Sequence, residues 1–586
     1  MSYNAPVKDM RFVLERVVGM EDVAALPGYE DATPDIVSAI LDEAARFAGE
    51  VLSPLNTTGD QEGAHWSEEG VTTPEGWKEA YSQFTEAGWN SLAFDPEFGG
   101  QGMPGMLSAA VQEMWHSSNM AFGLCPLLTQ GAVHAIASHA SVDLKQKYLE
   151  KMISGEWTGS MNLTEPQAGS DLAAVRAQAE PSGDHYLIKG QKIFITYGDH
   201  DLTENVIHLV LARTPDAPAG VKGISLFVCP KFILNDDGTP GKRNDARCVS
   251  IEHKLGIHAS PTCVMAFGDD GGAVGYLVGE ENRGLMYMFT MMNEARLAVG
   301  IEGYAMGEMA YQRAAAFAKD RKQGPVLLEG DGGIINHPDV RRMLMTIRSQ
   351  VEAARVLAYD CAGAFDFATH HPDEDVRTKF NRRGALLTPI VKGWSTEVGV
   401  EMCSLGVQIH GGMGFVEETG AAQYLRDVRI TPIYEGTTGI QANDLMGRKT
   451  VYDGGQGIED LLADMEATYS ALKSASDENC QYAAAALRKS IDMISDSSQQ
   501  ILAREDAALN AAVAGDYLML MGYGTGCWAM ARSVLAVQGL EDPDFVKAKL
   551  TVCRFYFDSI APRAVSHHLA LSQVSPEHFA LDAALL

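Results

Sequence analysis

Between residues 284 and 321 the chain reads GLMYMFTMMNEARLAVGIEGYAMGEMAYQRAAAFAKDR, more than thirty residues with no helix breaker before Gly324-Pro325. Apolar side chains fall on most faces of the helix this implies, so it has no face to offer water and must lie inside a bundle or a subunit interface. Other segments have to cover it. Two candidates lie just downstream: a helix beginning at NHPDVRRML, with Pro338 in its first turn, and another running through LLTPIVKGWSTEVGVEMCSLGVQI.

Upstream the period of the apolar residues changes twice. From about residue 35 to 155 it is helical: TPDIVSAILDEAARFAGEVLSPLN has Thr33 as cap, Pro34 at the first helical position and three-and-four apolar spacing up to Pro54, read as a breaker. A glycine-rich loop, FDPEFGGQGMPG, interrupts this region. Between about 156 and 280 the period is two, in HYLIKGQKIFIT, VIHLVLART, GISLFVCP and CVMAFGDD, separated by Gly, Asp and Pro. Beyond 450 the chain is helical and rich in alanine, and reads as a fourth, separately packed bundle. The expectation is an α+β protein, mainly α: an N-terminal helical domain (1–155), a middle β domain of barrel or sandwich type (156–280), a helical bundle (281–450) and an additional C-terminal helical domain (451–586). A length of 586 residues accommodates three to four domains of about 150 residues.

Composition narrows the function. The nine cysteines are scattered, with no Cys-x-x-Cys pair, so neither a disulfide framework nor a metal site is indicated. A formal charge of −31 argues against nucleic acid as partner, because phosphate binding needs a concentrated basic face. The amino-terminal MSYNAPVKDMRFVLERVV carries charges within its first apolar stretch, which predicts no signal core, no membrane span and a cytoplasmic protein.

Four segments carry residue types suited to chemistry. MNLTEPQAGSD, residues 161–171, offers the hydroxyls of Thr164 and Ser170 beside Gly169, where backbone can approach a ligand; taken alone it is most often a polar turn. In QKIFITYG, period two puts Phe194 and Thr196 on one face, a plane and a hydroxyl suited to a flat heterocycle, or simply a half-buried strand. In AKDRKQG, Arg321 ends the long helix, where a guanidinium pairs with a pyrophosphate or merely favours the helix terminus. The fourth runs from QIHGGMGF, with Gly411-Gly412, to IYEGTTGIQ, where Glu435 stands between an aromatic ring and a glycine. Each is weak by itself.

In this order, together with GWNSLAFDPEFGGQG, KLGIHASPT and YLRDVRITPIYEGTTGIQ, they resemble the acyl-CoA dehydrogenase family over most of residues 35–450. The resemblance implies that fold, FAD as cofactor and an acyl-CoA substrate. Leu163, Thr164 and Ser170 would touch flavin or the thioester arm, and Phe194 and Thr196 would border the flavin ring. Arg321, Gln323, Gln408, Gly411 and Gly412 would hold the pyrophosphate and adenosine, often across a subunit boundary, and Thr437 would hydrogen-bond the cofactor. Ser170, Arg296, Glu435 and Gly436 would meet substrate, with Glu435 as the base that removes the α-proton while hydride leaves the β-carbon for flavin N5. Some members place the base instead just before the arginine that is Arg296 here, and that position is Ala295, so the alternative is vacant. Glu294 is one residue further back and points elsewhere, since one residue turns a helix by about 100°. Gly439 stands where related sequences often carry a polar residue, and no contact is assigned to it.

The opening YNAPVKDMRF and the helical tail resemble a long bacterial branch of the family. That branch implies oxidation of 3-methylmercaptopropionyl-CoA, from dimethylsulfoniopropionate breakdown, or of straight-chain acyl-CoAs, with an electron-transferring flavoprotein as acceptor and a homodimer or homotetramer as assembly. Met286, Met288, Met291 and Met292 would line a thioether pocket or pack in the core. An acyl-CoA oxidase is the rival enzyme. A DNA-associated flavoprotein of the same fold is the rival from another class, but the tail carries 18 acidic and 9 basic residues, the wrong sign for a phosphate face.

Overall fold

The computed structural model describes residues 2–585. The long apolar segment is a helix, Gly284–Asp320, covered by the helices Pro338–His370, Glu374–His410 and Gly105–His139. Its glycines explain how closely it is held: a Cβ on Gly399 would lie 2.4 Å from the carbonyl oxygen of Gly303, so the two backbones touch there. Pro389 sits inside Glu374–His410 without ending it. Gly105–His139 is interrupted at Asn119 (φ −160°, ψ 88°), whose side chain restarts the helix by accepting from the backbone N–H of Phe122 at 3.1 Å. Among the described residues it is the one helix long and apolar enough to cross a membrane by composition, and that apolar surface is buried in the core.

The first predicted helix is Pro34–Phe47, with the Thr33 hydroxyl accepting from Ile36 N–H at 3.4 Å. Pro54 does not break the path. The chain widens into a π-type turn over Ala48–Leu52 and runs on without a break as Ser53–Glu62, so the irregular turn accommodates Pro54 inside one continuous helical path.

The β region forms an eight-stranded sheet that crosses between layers. In spatial order the strands are Ala246–Ile251, Thr262–Phe267, His185–Thr196, Ala273–Leu277, Ser225–Pro230, Val206–Ala212 and Thr158–Asn162, with Gln178–Ser182 also paired to His185–Thr196. Thr158–Asn162 and Val206–Ala212 run parallel, and the other strand pairs among the described residues are antiparallel. The first half of His185–Thr196 pairs with Ala273–Leu277 and Gln178–Ser182, its second half with Thr262–Phe267. Near that end is a bulge: Ile195 faces Cys263 and Lys192 faces Met265, so Ile193 and Phe194 together oppose Val264.

The tail does not pack by itself. Its helix Ala514–Ala536 lies against both Pro338–His370 and Glu374–His410, in one continuous hydrophobic core. Glycine again sets the distance: a Cβ on Gly522 would lie 2.2 Å from Trp394, and one on Gly393 would lie 2.4 Å from Leu518. Charges lock the same junction. Lys549 pairs with Asp9 and with Glu352 (2.5 Å), and Arg355 pairs with Glu113 (2.5 Å), Asp9 (2.7 Å) and Glu308 (3.0 Å). The hydroxyls of Tyr304 and Tyr359 donate to Glu113 at 3.1 and 2.6 Å. All nine cysteines are buried free thiols.

Candidate active site

Glu435 lies on the turn between the helices Ala421–Val428 and Thr438–Asn443. The sequence after it specifies the turn: Thr437 is the N-cap, its hydroxyl accepting from Ile440 N–H at 3.2 Å, and Thr438 donates to Glu397 at 2.5 Å. Gln441 reaches back to the Glu435 carbonyl at 3.4 Å. Glu435 itself has φ 53°, and Gly436 has φ 91°. Left-handed backbone is strained for a glutamate and ordinary for a glycine. Such strain persists only where the surroundings impose it, and it gathers at functional sites.

The surroundings are charged, and Glu435 itself is half-buried. Burial pushes the Glu435 carboxyl up to about 7, against the opposing pull of Arg296 and Lys392. Arg296, from the long helix, is buried with its Nε unpartnered, 3.8 Å from Asp444 and 3.3 Å from the Asn293 side chain. Burial draws its guanidinium below the usual value, against Asp444 and Glu435. Ala295 is buried, and Glu294 turns away to meet His134 at 3.2 Å, so no second carboxylate comes from that step of the helix.

Sequence reasoning missed two neighbours. Lys392 is buried on Glu374–His410, and its ammonium donates to the Gly436 carbonyl at 2.6 Å; burial lowers it to about 8. Glu302 is buried on the long helix, accepts from the Tyr434 hydroxyl and leaves its other oxygen unpartnered; burial raises it to about 8. The available signal was charge out of place: a glutamate and a lysine within otherwise apolar helical runs.

A second group of predicted residues is built at the end of strand His185–Thr196. Thr164 is fixed because its carbonyl accepts from Ile193 N–H at 2.9 Å, and Leu163 because its carbonyl accepts from Lys192 at 3.0 Å. Lys192 also pairs with the buried Glu165 at 2.8 Å, which takes the N–H groups of Arg176 (2.7 Å) and Ala177 (3.0 Å). This ion pair stitches the loop carrying Ser170 to the strand, and it too went unread in the sequence. Phe194 does not continue simple alternation with Thr196: the bulge puts it at φ 59° with its ring 58% exposed. Ser170 is exposed and Thr196 partly so.

A third group lies elsewhere. Arg321, Gln323, Gln408, Gly411 and Gly412 are exposed, and the ends of their helices are drawn together by Phe317 against His410, 4.5 Å between ring centroids. A Cβ on Gly411 or Gly412 would meet nothing within 4 Å, and Arg321 makes no ion pair among the described residues. Arg321 stands twenty-five positions beyond Arg296, about 37 Å at 1.5 Å per residue. Within one chain this group therefore does not reach Glu435. Met288 and Met291 are core residues, Met291 packed where a Cβ on Gly131 would lie 2.9 Å from it; Met286 is exposed.

Comparison with known proteins gives the family. Residues 36–156 match "Acyl-CoA dehydrogenase, N-terminal domain", 160–269 "Acyl-CoA dehydrogenase, middle domain", 282–450 "Acyl-CoA dehydrogenase, C-terminal domain" and 461–582 "Acetyl-CoA dehydrogenase C-terminal like". The chain is 47% identical over 582 residues to 3-methylmercaptopropionyl-CoA dehydrogenase of Ruegeria pomeroyi, covering 97% of each chain. It is 34% identical over 586 residues to butyryl-CoA dehydrogenase of Syntrophomonas wolfei, covering 96% of this chain and 95% of that one. Among solved structures, an acyl-CoA dehydrogenase complexed with FAD from Bacillus anthracis shares the fold, with a TM-score of 0.76 at 20% identity over 97% of this chain and 93% of that one. The chain belongs to the acyl-CoA dehydrogenase family of flavoprotein oxidoreductases.

Proposed function

We propose that this chain is an FAD-dependent dehydrogenase that converts 3-methylmercaptopropionyl-CoA to 3-methylthioacryloyl-CoA, with Glu435 as the base. The observation that carries the reading is Glu435 itself: a carboxylate on strained backbone, raised to about 7, with a buried arginine and lysine beside it. A base with that affinity accepts a proton efficiently near neutral pH. The choice of thioester rests on the 47% identity to the Ruegeria pomeroyi enzyme across nearly the whole chain.

The residues present fit FAD. The exposed Phe194 ring and Thr196 offer a flat face and a hydroxyl at the strand end, and Gly169 leaves open space where its Cβ would be. Leu163, Thr164, Ser170 and Thr437 would complete this end of the site. Bound FAD would supply the hydride acceptor for the β-carbon. Glu435 takes the α-proton onto its carboxylate, and its backbone N–H donates to the thioester oxygen, where charge develops. Arg296 and Gly436 border the thioester. Arg321, about 37 Å along the long helix from Arg296, and its neighbours Gln323, Gln408, Gly411 and Gly412 would serve the FAD of a second copy in a homodimer or homotetramer. An electron-transferring flavoprotein then removes the electrons.

Anaerobic titration of the holoenzyme with a panel of acyl-CoAs tests this. The expected result is bleaching of flavin absorbance at the lowest concentration with 3-methylmercaptopropionyl-CoA. Preferred bleaching by butyryl-CoA would move the chain to the straight-chain reading, which the 34% identity to the Syntrophomonas wolfei enzyme supports. Rapid peroxide formation in air would instead identify an oxidase.

A further inference from the structure

Glu435 has a neighbour on each side, and each is fastened by a buried ionisable residue from a different helix. Tyr434 donates its hydroxyl to Glu302 on Gly284–Asp320. Gly436 gives its carbonyl to the ammonium of Lys392 on Glu374–His410, at 2.6 Å. These helices touch backbone to backbone at Gly303 and Gly399, one residue beyond Glu302 and two turns beyond Lys392, so the two anchors sit on a single rigid frame. Between them the chain must pass through left-handed backbone at two successive residues, Glu435 and Gly436.

We propose that Glu302 and Lys392 are positioning residues that clamp both neighbours of Glu435, hold the base in its left-handed conformation, and set its proton affinity through the lysine charge. The proposal rests on Glu435 being the base. Without the clamp, relaxation of Glu435 to negative φ would swing its carboxylate off the line to a substrate α-carbon, and a misplacement of about 1 Å is worth about 10²-fold in rate. The charge effect has a definite direction. Arg296 and Lys392 lower the Glu435 value, Glu302 and Tyr434 are raised by burial and in turn by the Glu435 charge, Asp444 and Arg448 act on Arg296, and Glu397 faces Lys392 from its own helix. Removing the ammonium must therefore raise the proton affinity of the base.

The test uses the holoenzyme, with wild-type bleaching and an inactive E435Q variant measured first. If those fail, the base assignment fails; the clamp is judged only by variants of its own residues. Rates of Y434F, E302Q, K392M and K392R are measured against pH and normalised to flavin content and to the folded fraction from circular dichroism. Y434F and K392M are expected to lower kcat about tenfold or more with KM changed less than threefold. K392M also moves the acidic limb of kcat/KM to higher pH, and K392R returns it. Y434F changes no charge beside the base and leaves the limb in place. E302Q keeps an acceptor for the tyrosine hydroxyl and falls less than Y434F. A K392M enzyme with wild-type kcat and an unmoved limb overturns the proposal, as do losses that vanish on normalisation to folded protein.

Discussion

Two charge clusters draw residues from the same long helix, Tyr304 and Glu308 in one and Arg296 and Glu302 in the other, and they differ in how completely their charges are partnered. Around Arg355, which is 1% exposed, every charge has a partner: Glu113, Asp9 and Glu308 surround the guanidinium, two tyrosines satisfy Glu113, and Lys549 closes the ring through Asp9 and Glu352. Burial would raise both acidic partners of Arg355: Lys549 and Arg355 hold the Asp9 carboxyl below its ordinary value, while Glu113, deeper in the core, stays above its own even though its hydrogen bonds are all made. Around Glu435 the balance is left open: Arg296 has an unpartnered Nε, Glu302 an unpartnered oxygen, and Glu435 and Glu302 are both pushed up by burial. A saturated network fixes segments in place; an unsaturated one keeps a carboxylate ready to change its protonation state.

The sharpest way to break this contrast is a pair of substitutions. E435Q is expected to lose about 10²- to 10⁴-fold in turnover while binding FAD and melting no lower than wild type, because the amide removes a charge that burial disfavours. Flavin reduction kinetics and a thermal melt on the same preparation check both halves. R355M is expected to do the reverse, costing about 3–5 kcal/mol by leaving Glu113 buried without its cation. Denaturant unfolding measures it, and wild-type resistance would show that the network is dispensable.

The next effect is smaller and concerns sign. Glu435 folds with a raised value, so between its unfolded value near 4.5 and about 7 the folded chain holds a proton that the unfolded chain releases, and stability falls as pH rises through that window. Asp9 folds with a lowered value, so its contribution is present above 3.8 and is lost as pH falls through its folded value. Melting temperature against pH should therefore show E435Q with a flatter slope between about 5 and 7 and unchanged behaviour in acid. Last, T33A removes a helix cap far from either cluster and should cost about 1 kcal/mol in the same unfolding assay without changing the pH slopes.

What the sequence made legible was local or repeated. Thr33-Pro34 names a helix start because cap and first residue are adjacent, and the shift from helical to period-two spacing marks the β region because each strand repeats it. Glu435 could be singled out only through the order of several motifs around it. What stayed hidden depends on partners far apart: Tyr434 meets Glu302 across 132 residues, and Lys392 meets Gly436 across 44. The bulge at Phe194 was unreadable for a related reason, since it is a mismatch with Val264 on another strand. Pro54 misled because a proline that ends a helix and one that a π-type turn absorbs look alike in a row of letters.

Lys392, Gly393 and Trp394 are consecutive. The first points its ammonium at the turn carrying Glu435, while the next two receive Leu518 and Gly522 of the tail. An engineer who shortens the chain at residue 450 would thus be removing the back wall of the room in which the base stands. A loss of catalysis in such a truncated protein would say more about that missing wall than about any separate task performed by the tail.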